Sequence, residues 1–309
     1  MEGIIVGIVQ ALIIVAIAPL ISGFARWFRS KMHSRRGPSV LQDYYDIAKL
    51  FKRQDISPEC SSFVHRLMPI LFFGVTLVLA FGIPMITRVS PIAEVSDIIL
   101  IIYLLAIPRF FFALASLDSG DVYASTGGVR ELLVGVLVEP SMMLALIVAA
   151  LATGTTSLSV MGVETATLGV NCPFAFAVAG IAFACACYVE LGKVPFDMAE
   201  AEQEIQEGPL QEYSGPSLAL VKMAMAMKQI IVVSWFLAIF IPWGSAVDMS
   251  FASLAVGLVV WLVKLFVCFF LAGIFENSVM RTRYHNLGKP TWTIVGISVC
   301  AFVLFLVGV

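Results

Sequence analysis

The most conspicuous deficit in this 309-residue chain is charge: only 13% of its residues are Asp, Glu, Lys or Arg, while 60% are apolar. With a mean hydropathy of +0.97 it lies far outside the range of soluble domains, which excludes a water-soluble fold and implies a polytopic membrane protein. No basic face is available, so the net charge of −2 carries no argument for nucleic acid. The six cysteines are scattered, with no Cys-x-x-Cys pair and no histidine spacing that fits a metal, so no cofactor is expected in this chain. Cys185 and Cys187 read as small apolar residues on a helix. The three histidines are isolated, at positions where solvation is the ordinary state, and receive no role. Nor do residues 1–150 repeat in 151–309, so the internal symmetry of a secondary transporter is missing.

Eight apolar runs are long enough for a bilayer core of about 30 Å, at roughly 3–25, 67–87, 95–117, 130–152, 172–194, 218–241, 251–274 and 291–309. The fold class is therefore an all-α integral membrane bundle, one membrane domain over 1–309. The first run lacks a basic leader and is too long for a signal peptide, so it is expected to remain as a helix. Nine of the 19 lysines and arginines fall between Arg26 and Arg66, and Arg281, Arg283 and Lys289 fall in the last loop on the same side, whereas the opposite loops contribute Arg88 alone. The positive-inside rule then makes the loops 26–66, 118–129, 195–217 and 275–290 cytoplasmic. Both termini and the loops near 88–94, 153–171 and 242–250 face the outer, periplasmic side of a prokaryotic inner membrane.

Two polar segments interrupt this pattern. Residues 40–54 read as an amphipathic helix, with Leu41, Tyr44, Tyr45, Ala48 and Phe51 on one face and Asp43, Asp46, Lys49, Lys52 and Arg53 over much of the rest. Such a helix lies either on the lipid headgroups or under a soluble partner, and both remain open. Further on, six carboxylates crowd between Asp197 and Glu212. Pro195 suits a first helical turn and Gly208-Pro209 a stop, so Asp197, Glu200, Glu204 and Glu207 are predicted to form one acidic stripe on a helix.

Ionisable residues inside spans are the remaining signal, because each costs about 2.5–3.5 kcal/mol at mid-membrane even on the lenient insertion scale. They are Arg109, Glu139, Glu190, Lys193, Lys228 and Lys264, with Arg130 and Glu131 near a boundary. Glu190 and Lys193 share a predicted helix face, which suggests a static ion pair. Glu139, Glu190, Lys228 and Lys264 together suggest a shared buried polar track, with Arg109 neutralising one of the carboxylates.

These residues carry a resemblance. Arg35-Arg36-Gly37-Pro38, Leu41-Gln42, Asp46 and Lys49, then Pro195-Phe196-Asp197, Glu200-Ala201-Glu202 and Glu212-Tyr213-Ser214-Gly215, resemble subunit 1 of respiratory complex I. That family includes the matching membrane subunit of membrane-bound group 4 NiFe hydrogenases. The resemblance implies a subunit joining a membrane arm to a soluble redox arm, with Glu139, Glu190, Asp197, Glu200, Glu202 and Glu204 forming a proton-accessible acidic channel. The segments that depart from the respiratory pattern are the short Ser39-Val40 linker, the run from Glu207 to Gln211 and Ala224-Met225-Ala226 with Lys222 and Lys228 nearby. They look like the formate hydrogenlyase and hydrogenase-4 type.

The resemblance thus implies hydrogenase large and small subunits, an iron-sulfur subunit and antiporter-like membrane subunits as partners, with the NiFe centre and iron-sulfur clusters held by those partners. Docking is expected through Arg35, Arg36, Asp46, Lys49, Glu207, Glu212 and Tyr213, and Arg109, Arg130 and Lys193 serve as charge partners. The alternatives are a quinone-binding subunit of a respiratory NADH dehydrogenase and a stand-alone ion transporter.

Overall fold

A computed structural model describes residues 2–199, 201–281 and 284–308, except for the side chains of Glu2, Ala93, Glu94, Glu202, Gln203 and His285. Two acids singled out above, Glu200 and the side chain of Glu202, lie outside the described residues. The helices are α1 Glu2–Met32, α2 Gln42–Phe51, α3 Phe63–Gly82, α4 Ile98–Asp118, α5 Val122–Thr153, α6 Leu158–Thr167, α7 Pro173–Glu190, α8 Glu202–Ile205, α9 Gly215–Phe240, α10 Phe251–Ser278 and α11 Gly288–Val307. Among the described residues, eight of these are long and apolar enough to cross a membrane, in the eight places the hydropathy predicts.

The bundle is organised around α9. Its most apolar window is 61% buried, against 22% for α10 and α11, so α9 is a core helix and the last two are peripheral. Ile230, Ile231, Val232 and Trp235 are fully buried there. α10 is stapled to α1 by ring contacts, Phe24 on Phe266 at 5.2 Å and Phe28 on Phe270 at 4.7 Å. Side chains cap several helices: Ser62, Asp97, Asp121 and Ser250 each accept a backbone N–H from the first turn of α3, α4, α5 and α10 respectively. At the other end of α3, the buried Gln10 of α1 donates to the carbonyls of Ala80 and Ile83 at 2.8 and 2.7 Å, so a polar side chain inside an apolar span satisfies a helix terminus.

Four local expectations fail. Among the described residues, the segment after Glu190 is not a helix: it turns through Gly192, runs irregularly to Ala199, makes the short α8 and continues as a 3-10 turn over Gly208–Glu212. Gln206 and Glu207 take left-handed backbone conformations, φ 50° and 68°, which break helical periodicity before Pro209 is reached. Of the acids predicted to share a stripe, the described Asp197, Glu204 and Glu207 therefore do not share one helix. Secondly, α5 starts at Val122 rather than near Arg130, so Glu139 sits 17 residues, about 26 Å of rise, along its helix. Thirdly, α2 is shorter than predicted, with Asp43 its buried residue, paired with Arg26, while Leu41 at its N-cap, Tyr45 and Phe51 are exposed. Fourthly, His65 is buried, not solvated.

Candidate functional site: a buried charge cluster at the floor of a cavity

Arg109 is the hub of the site. It lies just past the middle of α4, directly after Pro108, and is almost completely buried. One terminal nitrogen of its guanidinium pairs with Glu139 of α5, and the other grips both oxygens of Glu190, the last residue of α7, at 2.5 Å to Oε2. Its Nε faces Glu131 of α5 at 3.8 Å. Lys228 of α9 closes the ring, 3.2 Å from Glu190 and 3.7 Å from Glu131. Three carboxylates thus share two cations, a formal charge of −1 in the middle of an apolar bundle.

Gly135 is what makes room. A Cβ there would stand 2.7 Å from the Arg109 Cζ and closer still to a terminal nitrogen, so only a glycine lets the guanidinium pass α5 to reach Glu139 and Glu190. Two turns toward the start of α5, Gly128 plays the same part for Ser116, whose Cβ would lie 2.9 Å from an added Cβ and whose Oγ would overlap it. The α4–α5 contact is close for that reason.

Above this cluster opens a cavity of about 270 Å³. Its floor contains Arg109, Glu131, Glu190 and Lys228, and its apolar walls include Phe72, Leu79, Leu105 and Phe112. Two ion pairs stand among its remaining lining residues: Arg29 with Glu276 at 3.2 Å, and Arg281 with Asp197. They join α1, α10, the segment after α10 and the loop after α7, all at helix ends that the charge pattern assigns to the cytoplasm.

The sequence-predicted residues divide clearly. Arg109, Glu139, Glu190 and Lys228 come together. Lys264 does not: it lies on α10 and donates to the carbonyls of Ile241 and Trp243, at 2.7 Å to the first, where the chain leaves α9 on the opposite side. Lys193 is in the turn after α7 rather than on the helix, so the predicted Glu190–Lys193 pair is replaced by Glu190 with Arg109 and Lys228. Arg130 binds Glu204 at 2.7 Å and lies over the Tyr284 ring at 5.2 Å, tying the acidic loop and the segment between α10 and α11 to α5.

Of the docking residues, Arg35, Arg36, Lys49 and Glu207 are exposed, Glu212 is half-buried, and Asp46 accepts from Gln42 at 3.1 Å. Tyr213 departs from expectation. It is buried, its ring stacks flat on His65 at 4.3 Å, and its hydroxyl donates to the His65 carbonyl at 3.3 Å. Burial, then the nearby Asp118 carboxylate, hold its phenol above the usual range. Ser214 next to it bonds both the N–H and the carbonyl of Ile56. Gly215, with φ 51°, lets the backbone of Gln54 approach, where a Cβ would lie 2.8 Å from its carbonyl carbon. Tyr213, Ser214 and Gly215 thus fasten this block to α3 and to the backbone of Gln54 and Ile56.

Sequence reasoning missed Glu131 as a full member of the cluster, and the Arg29–Glu276 pair in the cavity wall. Glu276 had a legible signal, being the lone acid in the long apolar run of α10.

A sequence profile described as NADH dehydrogenase matches residues 4–307. The chain belongs to that family. It is 46% identical over 305 residues to hydrogenase-4 component C of Escherichia coli, covering 99% of this chain and 96% of that one. Formate hydrogenlyase subunit 4 of the same organism is 43% identical over 301 residues, covering 97% of each. An NADH-quinone oxidoreductase subunit of Paraburkholderia xenovorans is more distant, 29% identical over 331 residues with 97% and 89% coverage. Among solved structures, a chain of the membrane-bound sulfane sulfur reductase, an archaeal respiratory membrane complex, superposes with a TM-score of 0.84 at 25% identity, covering 96% of this chain and 99% of that one. Within the NADH dehydrogenase family, then, the relatives named for hydrogen metabolism share far more of this sequence than the quinone-linked one, and they do so along its whole length.

Proposed function

We propose that this chain is the membrane subunit that anchors a cytoplasmic NiFe hydrogenase arm, of formate hydrogenlyase or hydrogenase-4 type, and couples its electron transfer to proton movement. The observation that carries the coupling role is the cluster itself: three carboxylates with two cations, at the floor of a cavity between helix ends that the charge pattern assigns to the cytoplasm. A buried site one positive charge short of neutrality responds strongly to charge nearby, because the low local dielectric leaves the field little screened. Redox changes in a docked partner would shift its proton occupancy, and the exposed residues Arg35, Arg36, Lys49 and Glu207 offer that partner a charged surface. The chain performs no redox chemistry of its own in this reading, and the NiFe centre and iron-sulfur clusters reside in the hydrogenase large and small subunits and the iron-sulfur subunit. Glu139 supports antiporter-like neighbours within the membrane. Its side chain is 33% exposed on the flank of a span, a position that lipid tolerates poorly and an adjoining membrane subunit would cover. The termini face the periplasm if the basic loops are cytoplasmic.

The test uses the intact complex in proteoliposomes, with Glu139→Gln and Glu190→Gln compared with the unaltered chain. Hydrogen production should persist while protons moved per hydrogen fall. If both production and coupling stay intact in the two variants, the coupling role is wrong.

One observation favours a second reading: the cavity has apolar walls beside its charged floor, as a quinone headgroup and tail require. In that case quinone-site inhibitors should stop turnover, and bound quinone should co-purify with an NADH-oxidising arm. The hydrogenase reading predicts neither.

A further inference from the structure

One face of α2 is uncovered: Leu41 at the N-cap, Tyr45, Ala48, Lys49, Phe51 and Lys52 are all exposed. Its sequence allows either lipid or a soluble partner there, and the packing of α2 separates the two. The Tyr44 hydroxyl donates to the carbonyl of Ala16, halfway along α1. A Cβ at Gly23 would lie 3.0 Å from the Val40 carbonyl carbon, so the chain enters α2 pressed against α1 well before that helix ends at Met32. Beyond the other end of α2, Asp55 accepts from Ser217 in the first turn of α9 at 2.6 Å. α2 thus lies beside the apolar length of α1 and not below it.

By reaching toward mid-span, Tyr44 marks the side of α2 that faces the bilayer interior. Phe51, seven residues on, stands two turns along that same side, while Lys49 is nearly opposite. Leu41, Tyr45 and Lys52 point outward between them. The helix is therefore graded from aromatic to basic, as an in-plane interfacial helix is. Its acids are engaged: Asp43 pairs with Arg26, Asp46 accepts from Gln42 at 3.1 Å, and Asp55 from Ser217. Lys52 at the C-cap and the adjoining Arg53 are exposed and, among the described residues, have no ion-pair partner. Cations at this depth attract anionic headgroups.

We infer that lipid covers the open face of α2, and that Lys52 and Arg53 bind the phosphates of anionic phospholipids in that leaflet. Tyr45 and Phe51 lie among the upper acyl chains, and the long stems of Lys52 and Arg53 carry their charges back to the headgroup level. A soluble partner is left with Arg35, Arg36 and the water-facing Lys49. The lipid site is independent of the coupling role and stands if that role fails.

The test is photo-crosslinking of the intact complex in vesicles of phosphatidylethanolamine with a minor share of phosphatidylglycerol. The photoreactive residue p-benzoylphenylalanine is placed at position 45 or 51 in turn, and the adducts are identified by mass. Both positions should give phospholipid adducts, with phosphatidylglycerol over-represented relative to the vesicle. Lys52→Gln combined with Arg53→Gln should lower that over-representation severalfold, while hydrogen production and the recovery of partner subunits stay unchanged. High salt should lower it in the complex without these two substitutions as well, because exposed charges are screened, and this arm carries the test if the double variant fails to assemble. Adducts to a partner protein in place of lipid put that partner on the face and overturn the inference. Lipid adducts in the proportions of the vesicle, or an over-representation that survives the double variant, overturn the binding of anionic headgroups by Lys52 and Arg53.

Discussion

Arg109 and Lys264 are both cations inside apolar spans, and the chain accommodates them in opposite ways. Arg109 is surrounded by three carboxylates from two other helices, with a fourth helix supplying Lys228. Lys264 meets two backbone carbonyls at the end of α9, where the chain folds back so that Ala246 bonds the backbone of Ile86 and Arg88. Carbonyls have fixed partial charge and cannot take up a proton, so Lys264 is a helix cap. Carboxylates can change charge, so the Arg109 cluster is a place where proton occupancy can vary. Equal cost to the membrane does not mean equal purpose.

The largest effect expected is from Arg109→Met. It strands Glu139, whose cation is Arg109, and leaves Glu131 and Glu190 to share Lys228, and removing one partner of a buried pair costs about 3–5 kcal/mol. Little assembled complex should be recovered from membranes. Adding Glu139→Gln to Arg109→Met should restore part of the yield, because it removes the charge left without its cation. If the double variant is no better than the single one, charge balance is not what Arg109 supplies. Gly135→Ala ranks next, at about 1–3 kcal/mol for overpacking. The added methyl displaces the guanidinium rather than discharging it, so the unfolding temperature of the complex should fall moderately while proton coupling falls disproportionately.

These residues also show where the sequence was legible. Hydropathy located all eight spans because the bilayer imposes length and polarity on each helix separately. The same cost argument singled out Arg109, Glu139, Glu190 and Lys228 and wrongly added Lys264, because cost reveals that a charge has a partner and not which partner. Glu131 was placed near a span boundary and so left out of the buried track; α5 in fact starts eight residues before Arg130. Gly135 was silent, as a glycine's reason lies on the neighbouring helix. The acidic loop misled most: the spacing of its acids suited a helix, but left-handed residues at Gln206 and Glu207 and the packing of Gly208 against Gly127 override that periodicity.

Lys264→Met sharpens the comparison from the other side. Two carbonyls lose a charged donor, one of them at the half-buried Ile241, for a cost of about 1–3 kcal/mol. Thermal unfolding should move to lower temperature, with hydrogen production and protons per hydrogen unchanged. A loss of coupling in Lys264→Met with stability intact would place Lys264 on the proton path after all, and the contrast with Arg109 would collapse.

The smallest effect belongs to Tyr213, and it decides between an internal clasp and a docking residue. Tyr213→Phe keeps the ring stacked on His65 and removes only the 3.3 Å bond to the His65 carbonyl, worth about 0.5–1.5 kcal/mol. The unfolding temperature of the complex should drop slightly, and the amount of partner protein recovered with the chain should not change. A docking role predicts the reverse, with unfolding unaltered and partner recovery reduced. The stack has one further consequence: His65 lies in the first turn of α3 and Tyr213 ends the acidic loop, so the clasp fixes how that loop lies over α5 and thereby where Asp197 stands beside the cavity. Removing the whole ring with Tyr213→Ala should therefore weaken the Arg281–Asp197 pair at a distance, an effect that Tyr213→Phe should not share.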